Sequence, residues 1–293
     1  MPCPSRRQFL FTAAGAALTA AKPAFAAKRS HSDLVSLGNS GVKVSRLALG
    51  TGTFSGRVQR ELGQPAFTRL VRHAYDQGVR FFETADAYNG MPIMLGEALK
   101  GLPRDSYKLM TKYRLRDTDD PKTTIDRFRR ELQTDYFDIL LLHCVRSPKW
   151  PEDTLKLQDT FSEAKQKKVV LSHGASVHGL QGLRQFPANK WLDVALFRTN
   201  HAGIKMDSMA LTDTEDIGSV DEVFSTAKAV HSRGVGVLGM KLIGEGRFTT
   251  PEDREKAMQK VFKSGVVDAV TIGFKSTAEV DEAIERMNRA LNS

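Results

Sequence analysis

The stretch RFFETADAYNG (residues 80–90) starts with the bulky apolar side chains of a buried β-strand and then becomes polar. Glu83, Asp86 and Tyr88 stand where the apolar run ends. Parallel strands that end on one face of a barrel collect their reactive side chains at that face. The number and order of similar strands in the chain therefore decide the fold and the site together.

From residue 43 onward, short apolar runs alternate with longer amphipathic segments. Apolar residues in those longer segments recur at helical spacing, and several segments end in glycine just before the next strand. Eight alternations in about 250 residues predict an α/β fold, a closed (β/α)8 TIM barrel. The eight expected strands are residues 44–50, 79–85, 107–113, 137–144, 168–176, 192–200, 235–242 and 267–274.

A doubly wound open sheet is the alternative α/β fold. Such a sheet usually has a glycine-rich phosphate loop after its first strand and an acidic ribose ligand further along. Here ALGTGTFSG is followed by RVQRELG, and no acidic residue arrives at the expected distance. The barrel is therefore favoured, with an N-terminal hairpin around residues 39–41 at its bottom.

Composition limits the classes of protein that this chain can represent. Of 293 residues, 41% are hydrophobic and 26% are charged, which is typical of a globular chain and excludes disorder. The net charge is +9, but the basic residues are scattered beside acidic ones. Since nucleic-acid binding needs a clustered basic face, we predict no nucleic-acid partner.

The first 26 residues differ from the rest. Arg6 and Arg7 precede an apolar run that is rich in alanine, and Ala24-Phe25-Ala26 has the small-x-small pattern of a cleavage site. The segment resembles a twin-arginine export signal, which implies the Tat export machinery as a partner and a periplasmic location. The apolar run is short for a membrane span, so cleavage is favoured over stable membrane insertion.

Cleavage would leave residues 27–293 as a single barrel domain. The net charge would then fall to +6, because the signal contains three basic residues and no acidic one. Cys144 would be the only cysteine of the mature chain, which excludes an internal disulfide.

Four polar side chains at or after the ends of neighbouring strands form a candidate proton donor: Glu83, Tyr88, Lys112 and His143. A buried ammonium favours the phenolate of a nearby tyrosine and is expected to lower the tyrosine pKa. The carboxylate keeps the lysine charged, and the histidine can hydrogen-bond a carbonyl oxygen. Without a nucleophile or a metal-ligand spacing, this set suits protonation of an oxyanion while another group delivers hydride.

These motifs resemble the Asp-Tyr-Lys-His tetrad of the aldo-keto reductases. The resemblance covers roughly residues 34–290 and includes FFETADAYNG, LMTKY and DILLLHC in the right order. It implies a barrel enzyme that reduces an aldehyde or a ketone with Tyr88 as proton donor. The carboxylate five positions before the tyrosine is aspartate in the family and is Glu83 here. Asp86, two positions before Tyr88, is expected to point elsewhere on an extended segment.

The resemblance also implies NADPH as the cofactor, with NADH as the alternative. Three positions depart from the family pattern: Val177, Leu196 and Asp281 stand where asparagine, glutamine and arginine are usual. The residues expected to bind the cofactor are Ser176, Asn200, Lys241, Lys275 and Ser276.

A second class of function remains open at this point. The same departures would suit an exported barrel that binds a ligand or partner with little or no turnover. Residues 200–219 form the longest insertion after a strand and are a candidate lid. No metal is expected, because no His-x-His or His-Glu-x-x-His spacing occurs.

Overall fold

The computed structural model describes residues 28–115, 120–210 and 217–293. The expected export signal (residues 1–26) lies outside the described residues, and so does the segment 211–216 of the candidate lid.

An antiparallel hairpin of β1 (Leu34–Ser36) and β2 (Lys43–Ser45) comes first. Leu37, Val42 and Val44 point from it into the apolar cluster inside the barrel. Gly38 has a φ of 48°, and a β-bridge joins it to Val235. The predicted N-terminal hairpin is therefore confirmed.

Eight parallel strands follow and close on themselves, because the last strand pairs with the first. Each strand pairs in parallel with its neighbours, as crossover helices require. This confirms the predicted (β/α)8 TIM barrel and rules out the open sheet. The strands are β3 (Leu47–Gly50), β4 (Phe81–Glu83), β5 (Lys108–Arg114), β6 (Phe137–Val145), β7 (Val170–Val177), β8 (Val194–Arg198), β9 (Gly236–Met240) and β10 (Ala269–Gly273).

Helices cover the outside of the barrel. Asp120, Ser219, Thr250 and Ser276 cap four of them with side-chain oxygens that accept backbone N–H bonds. Within the described ranges, none of the helices has the length and apolar content needed to cross a membrane. The helices are α1 (Arg57–Arg60), α2 (Gly63–Asp76), α3 (Met91–Leu99), α4 (Pro121–Glu131), α5 (Trp150–Asp153), α6 (Leu155–Gln166), α7 (Leu180–Leu183), α8 (Val220–His231), α9 (Pro251–Lys263) and α10 (Thr277–Leu291).

Alternation along the strands decides which side chains point into the barrel. Phe81, Met110 and Leu141 belong to the inner apolar cluster. Two residues further along their strands come Glu83, Lys112 and His143, and residues two apart share a face of the sheet. The polar residues therefore continue the inner columns at the carboxyl ends of β4, β5 and β6, which places them at the mouth of the barrel.

Candidate active site

Backbone hydrogen bonds direct the chain after β4 across the mouth. Thr84 N donates to Met110 O and Asp86 N to Lys112 O, each at 3.0 Å, so this segment continues along β5 beyond the end of its own strand. A turn follows, in which Tyr88 N donates to Ala85 O at 3.0 Å. This path brings Tyr88 back beside Lys112.

Lys112 and Glu83 form a buried ion pair. Lys112 Nζ contacts Glu83 Oε1 and also donates to Thr84 O at 3.0 Å. The two residues are only 1% and 3% exposed. Burial lowers the pKa of Lys112 to about 7, with the charge of Cys144 acting in the opposite direction and that of Lys241 in the same direction as burial. Glu83 and Thr84 therefore fix the ammonium in place, and its charge depends on the contact with Glu83.

Tyr88 lies between the lysine and the histidine. Lys112 Nζ is 4.8 Å from the centroid of the Tyr88 ring, and the ring meets that of His143 edge-on, with 5.5 Å between centroids. A Cβ atom on Gly52 would come within 2.6 Å of Tyr88 Oη. Glycine at position 52 therefore leaves room for the hydroxyl, and both residues line the same cavity. Glu83, Tyr88, Lys112 and His143 are called the proton-donor cluster below.

The electrostatics of Tyr88 differ from the sequence expectation. Burial raises the pKa of the Tyr88 phenol, and nearby Cys144 and Glu245 act in the same direction. The expected lowering of the tyrosine pKa is therefore wrong for this site. The main cause is burial, which disfavours the phenolate, and the Lys112 ammonium, which contacts Glu83 and faces the tyrosine ring, does not offset this cost.

His143 is held neutral. Burial lowers its pKa well below the usual value, and the positive charges of Lys112, His178 and Arg114 add to the effect. Arg114 lies opposite His143 in the register of β5 and β6. A neutral imidazole has one donor and one acceptor nitrogen, so His143 can orient a carbonyl oxygen without carrying charge.

Asp86 does not join this cluster. Its Oδ1 accepts from Arg127 Nη2 at 2.7 Å, an ion pair to α4 on the outside of the barrel. The buried carboxylate is therefore directed away from Lys112, as expected from its position on the segment.

A cavity of about 520 Å3 runs from the proton-donor cluster to the first turns of α10. Its volume is in the range of small-molecule and cofactor sites, roughly 300–1,000 Å3. Apolar walls and cationic side chains are both present, as a flat ring and a phosphate would require. The side chains along the walls include Leu196, Met240, Lys241, Arg254, Ile272, Phe274, Lys275, Glu279, Glu282 and Arg286.

The cations of this cavity outside the cluster are already paired with carboxylates. Anionic ligand groups would therefore have to exchange with these carboxylates. The contacts, called the distal ion pairs below, are Lys241–Glu245 at 2.5 Å, Lys275–Glu279 at 3.7 Å, Arg254–Glu282 at 2.7 Å and Arg286–Glu282 at 2.8 Å.

Ser176 and Asn200 are buried and used within the protein. Ser176 Oγ accepts from Cys144 N at 2.9 Å and donates to Leu142 O at 3.3 Å, which ties β7 to β6 next to His143. Asn200 Nδ2 donates to Ile204 O at 2.7 Å. Both side chains shape the site from behind the cavity wall.

Lys275 and Ser276 lie at the start of α10. Ser276 is the N-cap, and its Oγ accepts from Glu279 N at 3.3 Å. Glu279 in turn accepts from Lys275 N at 2.8 Å, so a carboxylate already occupies this helix N-terminus. Asp281 pairs with His73 at 2.7 Å and faces α2.

Glu245 was not singled out from the sequence. Its Oε1 accepts from Phe54 N at 3.3 Å and contacts Lys241, so it links the loops after β3 and β9. The glycines on either side of it were the only local sign in the sequence. Among the described residues, no group of three metal-ligand side chains is placed to bind an ion.

Known proteins resemble this chain in sequence and in fold. L-galactose dehydrogenase from Arabidopsis thaliana is 36% identical over 122 residues, covering 38% of this chain and 37% of that protein. "Probable aldo-keto reductase 1" from Glycine max is 28% identical over 155 residues, covering 48% and 45%. The chain thus spans less than half the length of these two relatives.

A putative aldo-keto reductase from Pseudomonas aeruginosa has a similar structure, with a TM-score of 0.73 at 20% identity over 90% of this chain and 98% of that one. This likeness shows the barrel fold. The aldo/keto reductase family itself matches residues 46–292, which include every strand of the barrel. The chain belongs to the aldo/keto reductase family.

Proposed function

We propose that this protein is a carbonyl reductase that transfers hydride from NADPH, or alternatively NADH, to an aldehyde or ketone. Tyr88 is the proton donor. The observation that carries the proposal is Tyr88, which lines the cavity beside a buried Lys112–Glu83 pair and contacts the ring of a neutral His143. Membership of the family supports the same class of reaction.

When bound, the reduced nicotinamide supplies the hydride. Leu196 and Met240 give the cavity an apolar wall that suits a flat ring, and the cations of the distal ion pairs would bind phosphates by exchanging their carboxylate partners. We propose that Lys241 and Lys275 hold these anionic groups, with Ser276 at the N-terminus of α10. Ser176 and Asn200 support the site through the hydrogen bonds that order β7 and the loop after β8.

The side chains of the proton-donor cluster supply the proton and stabilise the charge that its transfer leaves. His143 orients the carbonyl oxygen, and Tyr88 donates its proton to that oxygen as negative charge develops there. An alkoxide is a stronger base than a phenolate, so the transfer is favourable although burial raises the pKa of Tyr88. The Lys112 ammonium, held by Glu83, then stabilises the phenolate. Glu83, Lys112 and His143 are buried, which limits access of water to their side of the site.

The test uses protein that begins at residue 27. Fluorescence titration with NADPH and NADH should show saturable binding, and small aldehydes should be reduced at the expense of the cofactor. Tyr88→Phe should retain cofactor binding and lose reduction by at least about 100-fold. Absence of cofactor binding, or full activity in Tyr88→Phe, would contradict the proposal.

A binding barrel with little turnover is the second candidate. It is favoured by the distal ion pairs, which already neutralise the cations of the cavity. Glu83→Asp separates the two candidates. An active or impaired enzyme should change its rate of carbonyl reduction, whereas a barrel without turnover should show no reduction with either residue.

The N-terminal 26 residues are proposed to direct export through the Tat machinery to the periplasm, leaving residues 27–293 as the mature domain. The Arg6-Arg7 pair and the alanine-rich run support this location. Fused to a reporter that is active only after export, the segment should deliver it. Replacing both arginines by lysine should stop delivery, and unchanged delivery would contradict the proposal.

A further inference from the structure

The second oxygen of Glu83 has a partner two strands away. Glu83 Oε2 accepts from Thr271 Oγ1 at 3.1 Å, and Thr271 lies on β10. In the barrel order, β3 stands between β10 and β4. The Glu83 carboxylate therefore reaches past the end of β3 to a strand that β4 does not touch. Its two oxygens have different partners, since Oε1 contacts Lys112.

Gly50 provides the room for this contact. It is the last residue of β3 and lies opposite Glu83 in the register of β3 and β4. A Cβ atom at position 50 would come within 2.4 Å of Thr271 Oγ1 and 2.8 Å of Glu83 Oε2. Gly50 has no positive φ, so its backbone conformation does not itself require glycine. A side chain at position 50 would therefore displace the Glu83–Thr271 hydrogen bond.

We propose that Gly50 and Thr271 are positioning residues that form a seat for the longer carboxylate of Glu83, and thereby hold the Lys112 ammonium against Tyr88. The proposal rests on the proposed reductase function. A glutamate has one more methylene than an aspartate and one more torsion to order. Anchoring Oε2 on Thr271 removes that freedom and leaves Oε1 directed at Lys112.

The seat also has an electrostatic consequence. A hydrogen bond donated to an ionised carboxylate favours its charged form. Thr271 therefore helps to keep Glu83 ionised in a site that is otherwise costly for charge, and an ionised Glu83 keeps Lys112 protonated. Without the Thr271 hydroxyl, Glu83 should gain a proton more readily and Lys112 should lose its proton more readily.

The experiment compares Thr271→Val, Thr271→Ser and Thr111→Val in the full mature chain. Valine has nearly the same shape as threonine and lacks the hydroxyl. Thr111 is the matched control, because it is buried on β5 and its hydroxyl has no hydrogen-bond partner among the described residues. Each change is also made together with Glu83→Asp, whose shorter carboxylate does not extend to Thr271.

Thr271→Val is expected to lower kcat/KM by about tenfold and the melting temperature by about 3 °C. The alkaline limb of its pH–rate profile should move to lower pH, because Lys112 loses its proton more readily. Thr271→Ser should restore all three, and Thr111→Val should lower neither kcat/KM nor the melting temperature and should leave the pH limb in place. In the Glu83→Asp background, Thr271→Val should no longer lower the melting temperature.

Two results would overturn the proposal. One is an unshifted pH limb in Thr271→Val. The other is a loss of melting temperature on Thr271→Val that is equal in the unaltered chain and in the Glu83→Asp background. If the protein reduces no carbonyl compound, the proposed function fails by itself. The melting-temperature coupling between positions 83 and 271 then still decides whether the seat exists.

Discussion

The two ends of the cavity use charge differently. At the proton-donor cluster, one lysine and one glutamate are almost completely buried, and their atoms have fixed partners. At the other end, the distal ion pairs are partly exposed, and the Lys275 side chain is 68% exposed. Exposed pairs contribute about 1 kcal/mol or less, whereas breaking a buried pair is costly. Proton transfer needs buried charges with fixed partners, whereas a ligand can exchange with the carboxylates of exposed ion pairs.

The largest contrast should come from removing a lysine at each end. Lys112→Met is expected to lower kcat/KM by at least about 100-fold, because the phenolate of Tyr88 loses its stabilising charge. Lys275→Met should lower it by less than about fivefold, since that ammonium is exposed and paired. Steady-state kinetics on folded variants measure both, and equal losses would remove the distinction between the ends.

Stability should separate the two ends as well. Glu83→Gln leaves the buried Lys112 without its counter-charge and should cost about 3 kcal/mol in the free energy of unfolding. Glu279→Gln, the control at the exposed end, should shift the melting temperature by less than about 1 °C. Urea titration and thermal melts provide the measurements. An unchanged free energy of unfolding in Glu83→Gln would mean that the buried pair does not stabilise the fold.

The pH dependence of reduction should report on Lys112. Its pKa is lowered to about 7, and the proposed mechanism needs the ammonium, so activity should be full below that pH and fall as the pH rises through it. His143 should add no acidic limb near its usual value of about 6.5, because burial keeps it neutral. Glu83→Gln should move the alkaline limb to lower pH, and Glu279→Gln should not move it.

The smallest expected effect sharpens the picture of the exposed end. Glu245 contacts Lys241 inside the cavity and brings negative charge to a site that is proposed to receive phosphates. Glu245→Gln should therefore tighten NADPH or NADH binding by about threefold. Fluorescence titration measures the change. Weaker binding would mean that Glu245 positions Lys241 for the cofactor.

Much of the proton-donor cluster could be predicted from the sequence. Glu83, Lys112 and His143 each close an apolar run, and parallel strands bring such ends together. The electrostatics could not be predicted in the same way. The pKa of Tyr88 is raised because burial disfavours the phenolate and the charges of Cys144 and Glu245 add to the effect, and both facts depend on three-dimensional packing.

The order of apolar and amphipathic segments determined the barrel, because the strand period, the helical period and glycine at helix ends act over short distances along the chain. Only the tertiary structure decided the partners of Glu83, since Lys112 and Thr271 lie 29 and 188 residues away along the chain. It also decided that the distal cations are paired. Hydrogen bonds depend on distances in space, which closure of the barrel sets and which no local pattern of residues contains.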